Sequence, residues 1–300
     1  MPYPNPCLFG EVLFDVFPDG RRVLGGAPFN VAWHLAAFGA GPRFISAAGA
    51  DPDGERIRAD MEAWGLDTSG LQTDPEHPTG RVRVSLVDGE PSYAILPERA
   101  YDFIRAPMDS GSVGLLYHGT LALRGPVSAS TLLGLKRGIP DLVFLDVNLR
   151  DPWWTLETTL GLVTDADWVK LNRDELVRLS AGEAGASAWP LPDLARRFLE
   201  RHALSGLVVT LGGEGAFGLT PEGGLERVAP APALEVVDTV GAGDAFTAVI
   251  LLGLLQGWPL ATTLARAQTF ASRIVARRGA TGTDRALYQP FLDHWGLDTY

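Results

Sequence analysis

The segment Asp238-Thr-Val-Gly-Ala-Gly-Asp244 sets two glycines between two carboxylates, immediately ahead of the apolar run Ala245–Leu255. The glycines around Ala242 let the backbone turn sharply. A helix that begins there leaves its first N–H groups without intrahelical partners and directs the positive end of its dipole outward. Together these features make an anion site, and phosphate is the anion that suits it. Asp244 has a use beside such a site. It can accept the proton of an attacking hydroxyl while the amides of Gly241, Ala242 and Gly243 hold the charge developing on a transferred phosphoryl group. The dipole also favours the ionised carboxylate, so the base would be ready near neutral pH. An acid in the first turn of a helix can equally serve as a cap, and the segment alone leaves both readings open.

A second group lies near the N-terminus. Asp15 closes an apolar run, and Gly25-Gly26-Ala-Pro-Phe-Asn30 leads into a helical pattern. A Gly-Gly pair permits close approach of backbone to a ligand. Asp15 offers acceptors only and Asn30 both donor and acceptor, the mixture needed to grip the hydroxyls of a polyol. Taken singly, Asp15 reads as well as a turn residue, and Asn30 as a residue on a helix face. Gly80–Leu96 alternates with period two and turns at Asp88-Gly89, a hairpin signal. It is either an edge hairpin or a small β lid over a site. Arg81, Arg83, Ser85 and Val87 share one face, so in the second case Arg83 is placed to meet an anionic ligand.

These residues need a frame. Apolar runs of strand length fall at Cys7–Val16, Arg43–Ala48, Val113–Tyr117, Leu142–Val147, Trp168–Leu171 and Leu207–Leu211. Helical patterns follow at Pro28–Phe38, Asp53–Trp64, Ser128–Arg137, Asp174–Leu179, Leu194–His202, Ala242–Leu255 and Leu260–Arg277. Strands this apolar, separated by helices, predict a mostly parallel sheet covered on both faces. Ligands of such sheets bind beyond the carboxyl ends of the strands.

Composition narrows the function. The 300 residues hold 25 Lys+Arg against 36 Asp+Glu, a net charge of −11. That balance argues against a general nucleic-acid or anionic-membrane surface. Any polyphosphate must be held by local N–H groups and a few well-placed cations, and only Lys136 and Lys170 are lysines. The single cysteine, Cys7, permits no intramolecular disulfide and fits a reducing compartment. No secretory signal opens the chain, and the run Ala245–Leu255 is about half the length of a membrane span. A soluble, cytoplasmic protein is expected.

Taken together, GGAPFNVAWHLAAFG (25–39) and DTVGAGDAF (238–246) resemble the two signature segments of the ribokinase-like, or PfkB, carbohydrate kinases. LDVNLRDPWW (145–154), VKLNRDEL (169–176) and VVTLGGEGAF (208–217) stand between them in the family's order. The resemblance implies an ATP-dependent kinase acting on a sugar hydroxyl. By it, Asp244 is the catalytic base, Gly241, Ala242 and Gly243 form the anion hole, and Asp15, Gly25, Gly26 and Asn30 bind the sugar. Asn172 and Glu175 match the element that organises magnesium and the phosphates, Glu175 acting through water. Thr210, Gly212 and Gly215 match the nucleotide-facing turn. Arg150 matches an arginine that meets substrate or transferred phosphate, although a surface salt bridge would also explain it. Asp238 and the stretch 278–280 match a loop pair that holds a monovalent cation such as K+. Ser272 stands where the family often has Asn near the adenine, and Val147 where it often has Pro.

Competing motifs are weaker. Gly213–Gly218 fits G-x-G-x-x-G, but no helix can open after it to receive a pyrophosphate, so an NAD-dependent dehydrogenase is disfavoured. No Gly-Lys dipeptide exists for a Walker A loop. The five histidines show no metal-ligand spacing. His118 could reach the sugar cleft or be a satisfied structural histidine. The expectation is thus a ribokinase-like three-layer α/β sandwich, one kinase domain over 1–300. Its lid would come mainly from 80–97 with part of 11–24. Fructose is the first choice of substrate, with 2-keto-3-deoxygluconate or ribose behind it. A non-catalytic sugar or nucleotide sensor is the alternative from another class. An exposed lid edge suggests a homodimer.

Overall fold

The computed structural model describes residues 3–87, 90–107, 113–138, 140–182, 188–230 and 236–297. The Asp88-Gly89 turn lies outside them. In chain order the first elements are β1 (Cys7–Phe9), β2 (Leu13–Val16), β3 (Arg22–Gly25), α1 (Ala27–Ala37), β4 (Arg43–Gly49) and α2 (Pro52–Trp64). Next come β5 (Leu71–Asp74), β6 (Gly80–Val87), β7 (Glu90–Ile95), β8 (Leu115–His118), α3 (Pro126–Arg137), β9 (Leu142–Asp146) and α4 (Leu156–Thr164). Then follow β10 (Trp168–Asn172), α5 (Arg173–Leu179), α6 (Leu191–Arg201), β11 (Gly206–Thr210), β12 (Ala216–Leu219) and β13 (Leu225–Val228). The helices α7 (Ala242–Gln256), α8 (Leu260–Val275) and α9 (Gln289–Trp295) complete the order.

Nine strands form one sheet in the order β13-β12-β11-β10-β9-β8-β1-β4-β5, and only β12 and β13 join it antiparallel. Alternate residues of each inner strand feed different cores, as the period of two requires. On β9, Leu142 and Phe144 face a core shared with α1, α2, α7, α8 and α9. Val143 and Leu145 face the opposite core, with α4, α5 and α6. The sheet is therefore covered on both faces, the expected three-layer α/β sandwich.

The strand expected over Cys7–Val16 is two strands in two sheets. The chain leaves the large sheet at Gly10, whose N–H still donates to Ile45 O at 3.2 Å. A side chain on Gly10 would overlap the Pro28 ring at the start of α1. Beyond it β2 enters a second sheet of order β3-β2-β6-β7. This small sheet is built from parts of both segments expected to make a lid. Phe14, Leu13 and Val82 bury the small sheet in two of the cores, and polar contacts from α2 tie it further to the body. Asp51, the N-cap of α2, accepts from Gly54 N at 2.9 Å and from Thr79 N at 2.9 Å, just ahead of β6. Asp53 in the first turn of α2 pairs with Arg22 of β3 at 2.5 Å and Arg81 of β6 at 2.7 Å.

Candidate active site

At the entry to α7 the backbone is held open by glycine. Gly241, the N-cap, has φ 80°, and a Cβ there would overlap Ala280. Both facts demand glycine at that position. Among the described residues the N–H groups of Gly241, Gly243 and Asp244 have no protein partner. The expected trio of amides differs in one member: Ala242 N–H folds back onto Thr239 O at 3.3 Å. That bond is long, and the turn still leaves its neighbours without a partner.

Asp244 is the third residue of α7, and its Oδ2 accepts from Asn30 Nδ2 at 2.7 Å. Burial pushes the Asp244 carboxyl up to about 6, with the Asn30 hydrogen bond the largest opposing influence. Asn30 reaches it from α1, where Pro28 stands in the first turn and Gly26 at φ 111° is the N-cap. A Cβ on Gly26 would lie 2.6 Å from Glu11 O, so the backbone here approaches closer than any side chain allows. Asn30 Oδ1 is buried and has no partner. Around Gly25 the Oδ1 of Asn30 and the Oδ2 of Asp15 converge, each 3.9 Å from where its Cβ would stand. A free acceptor, a carboxylate and a free backbone edge meet at one point, which suits a hydroxylated ligand.

Burial also pushes Asp15 up to about 6, with the Arg150 guanidinium opposing. Arg150 follows β9, bonds Leu149 O at 3.3 Å, and makes no ion pair among the described residues. Its charge acts on Asp15, Glu11 and Asp244 together. The salt-bridge reading of Arg150 therefore finds no support. Arg83 is set apart. It pairs in register with Val16, while Asp15 pairs with Val82, so Arg83 shares its sheet face with Phe14 and Arg81 rather than with Asp15. Its side chain is exposed, and strand alternation turns it away from the sugar group.

A cavity of about 570 Å³ opens on the other side of the α7 turn. Thr210, Gly212, Gly215 and Ser272 line it, as do Ala242 and Gly243. Asn172 and Glu175 form a capping box at the start of α5: Asn172 Oδ1 accepts from Glu175 N at 2.9 Å, and Glu175 Oε2 from Asn172 N at 2.8 Å. Glu175 Oε1 accepts from Leu149 N at 2.8 Å, which ties α5 to the Arg150 loop. Asp238 bridges its two loops, accepting from Val240 N and Gly279 N at 3.0 Å each. No cluster of three or more acidic, histidine or cysteine side chains suited to a metal occurs among the described residues.

Several polar residues of the site escaped the sequence reading. Glu11, beneath the Gly25-Gly26 turn, is 3% exposed, and burial pushes it up to about 7. Asp146 of β9 and Lys170 of β10 pair at 3.0 Å in the interior. Thr247 of α7 donates to Asp146 at 2.8 Å. The available signal was a charge inside each of two otherwise apolar strands. His118 is fully buried, with Nδ1 against Gly119 O at 2.9 Å and Nε2 without a partner.

The chain matches the model of the pfkB family carbohydrate kinases over residues 14–286. It is 30% identical over 294 residues to the aminoimidazole riboside kinase of Salmonella typhimurium strain LT2, covering 91% of this chain and 89% of that protein. It is equally 30% identical to a fructokinase of Salmonella typhimurium, over 298 residues covering 91% and 94%. Among solved structures, the fructokinase of Vibrio cholerae O395 bound to fructose, ADP and calcium aligns with TM-score 0.80 at 26% identity, over 96% of this chain and 99% of that one.

Proposed function

Because the chain belongs to the pfkB family of carbohydrate kinases, we propose that it transfers the γ-phosphate of ATP to a hydroxyl of fructose, with Asp244 as the base. The observation that carries this reading is the 2.7 Å hydrogen bond from Asn30 to Asp244. It joins the hydroxyl-binding group to a carboxylate seated among unpartnered amides, with the cavity of about 570 Å³ on the far side of the turn. Sugar and nucleotide thus meet across one residue.

The sugar lies over Gly25-Gly26, with hydroxyls on Asp15 and Asn30 Oδ1. Asp244 accepts the proton of the attacking hydroxyl as its oxygen bonds to the γ-phosphorus. The bond from that phosphorus to the β–γ bridging oxygen breaks, and ADP leaves with the bond's electron pair. The N–H groups of Gly241 and Gly243 and the Arg150 guanidinium hold the negative charge on the moving group. Thr210, Gly212, Gly215 and Ser272 bound the nucleotide's pocket. The carboxylate of Glu175 fits a divalent cation only through water, because its oxygens already accept two backbone N–H groups. When bound with the nucleotide, magnesium supplies charge neutralisation on the phosphate oxygens. Asp238, between its two loops, belongs to a monovalent-cation site in the same reading. The β2-β3-β6-β7 sheet, borne on the single kinase domain, closes over the sugar and excludes water that would otherwise take the phosphoryl group.

Fructose is favoured because a relative of matching length and an aligned solved structure are both named fructokinase. The aminoimidazole riboside kinase at the same identity makes a nucleoside-like substrate the second reading. ADP release with ATP and a panel of fructose, 2-keto-3-deoxygluconate, ribose, adenosine and aminoimidazole riboside separates them. The largest kcat/KM is expected with fructose. Asp244→Asn should lower kcat by about 1,000-fold or more. Equal rates for wild type and the variant would remove the mechanism, and silence with every sugar would favour a sensor.

A further inference from the structure

We propose that Lys170 is a positioning residue for phosphoryl transfer, acting through Asp146 and Thr247 on the first turn of α7. The inference rests on the Asp244 reading above and adds a component to it. Lys170 is one of only two lysines in the chain, and its ammonium lies inside the protein. It bonds both oxygens of Asp146, at 3.0 and 3.1 Å, across the register that sets Lys170 opposite Asp146 on the neighbouring strand. Thr247 Oγ1 lies 2.8 Å from Asp146 Oδ2 and 2.9 Å from Gly243 O, one turn back along α7. The ammonium itself approaches that turn, for a Cβ on Gly243 would stand 3.5 Å from Nζ.

Folding alone gives no reason for this pair. The remaining inward positions of β9 and β10 are apolar, and two buried charges there cost desolvation that an apolar pair would avoid. Their placement offers one. Thr247 has one hydroxyl proton, and donating it to Asp146 ties α7 through carboxylate and ammonium to the sheet one turn beyond Gly243, which fixes where the unpartnered Gly243 N–H and the adjoining Asp244 stand. The ammonium also faces the carboxylates of Asp146, Glu175 and Asp244. The Asp146 carboxylate offsets that charge at Asp244, so the pair acts by holding the turn in place rather than by its field. A strut that holds the donors but touches neither substrate should govern kcat and leave KM alone.

The test uses the full chain with ATP and whichever sugar of the panel turns over. Thr247→Val removes the hydroxyl and keeps the shape; kcat should fall about tenfold while both KM values stay within about threefold. Thr247→Ser keeps the hydroxyl and should restore most of the rate. Lys170→Met combined with Asp146→Asn removes both charges without leaving one unpaired, and kcat should fall about 100-fold with nucleotide affinity by calorimetry unchanged. Wild-type kcat in Thr247→Val, or in the folded double variant, overturns the proposal, as does a loss expressed wholly in KM. If the double variant does not fold, the Val and Ser pair decides. Asp244→Asn is run beside them. An inactive Asp244→Asn with Thr247→Val at wild-type rate overturns this inference alone, whereas full activity of Asp244→Asn overturns both readings.

Discussion

Asn30 spends its amide on two partners: Nδ2 serves Asp244, and the buried Oδ1 is left for a ligand. Because the Asn30 hydrogen bond favours the charged carboxylate, it restrains the upward push of burial on Asp244, which stands at about 6. Activity should therefore fall as pH drops through about 6. In Asn30→Leu, where that donor is gone, the acidic limb of kcat/KM should move up by about one unit. An unchanged limb would show that the bond does not control the base. Glu11 carries the opposite consequence for stability. Its folded value, about 7, lies above the unfolded one near 4.5, so the folded state holds the proton more tightly. Stability is then fully present at low pH and is lost as pH rises through about 7, by up to about 3 kcal/mol. Glu11→Gln should match wild type in thermal melts at pH 5 and exceed it at pH 8.5. Equal melting temperatures at the higher pH would contradict this.

At the scale of elements, α7 decides the site. Ten of its fifteen residues are buried, so the helix is locked against α1 and α8 and its N-terminus cannot drift. The turn ahead of it depends on Gly241 at φ 80°. Gly241→Ala meets both the left-handed penalty of about 1–2 kcal/mol and the overlap with Ala280. The turn must shift, and a displacement near 1 Å would cost about 100-fold in kcat. Kinetics of the soluble variant check this, and a wild-type kcat would show that the turn need not be rigid. The small sheet is held differently, through Asp51 to Thr79 and through Asp53 to Arg22 and Arg81. Leu24 of β3 and Ile95 of β7 add apolar contacts to the two cores beneath.

For the whole molecule, the small sheet ends in two edges, β3 and β7. Tyr93 on β7 is 53% exposed. Unpaired strand edges invite pairing with a second copy, and twofold symmetry closes such an assembly. A homodimer joined through these edges is the expected state, and light scattering that finds monomer alone at micromolar concentration would refute it. No helix among the described residues is long and apolar enough to cross a membrane.

The order of strands and helices, the glycine turn ahead of α7 and the hairpin β6–β7 are legible along the chain, because periodicity and turn chemistry are local. Amphipathic α4 and α9 and the short strands β3, β5, β12 and β13 were not read, since runs of four to nine residues carry too little pattern. The Cys7–Val16 run shows the limit well: its hydrophobicity predicts burial at both ends, yet only the approach of Pro28 to Gly10 divides it between two sheets. Arg83 shows the same limit, for alternation assigns it a face but not the side on which the cleft lies. The hydrogen bond between Asn30 and Asp244 joins residues 214 apart. No local preference encodes such a distance. Residue types and spacing determined what chemistry this chain can perform, and the packing of α1 and α7 over one sheet decided which side chains share the site, because only closure of the core brings those helix ends within hydrogen-bonding reach.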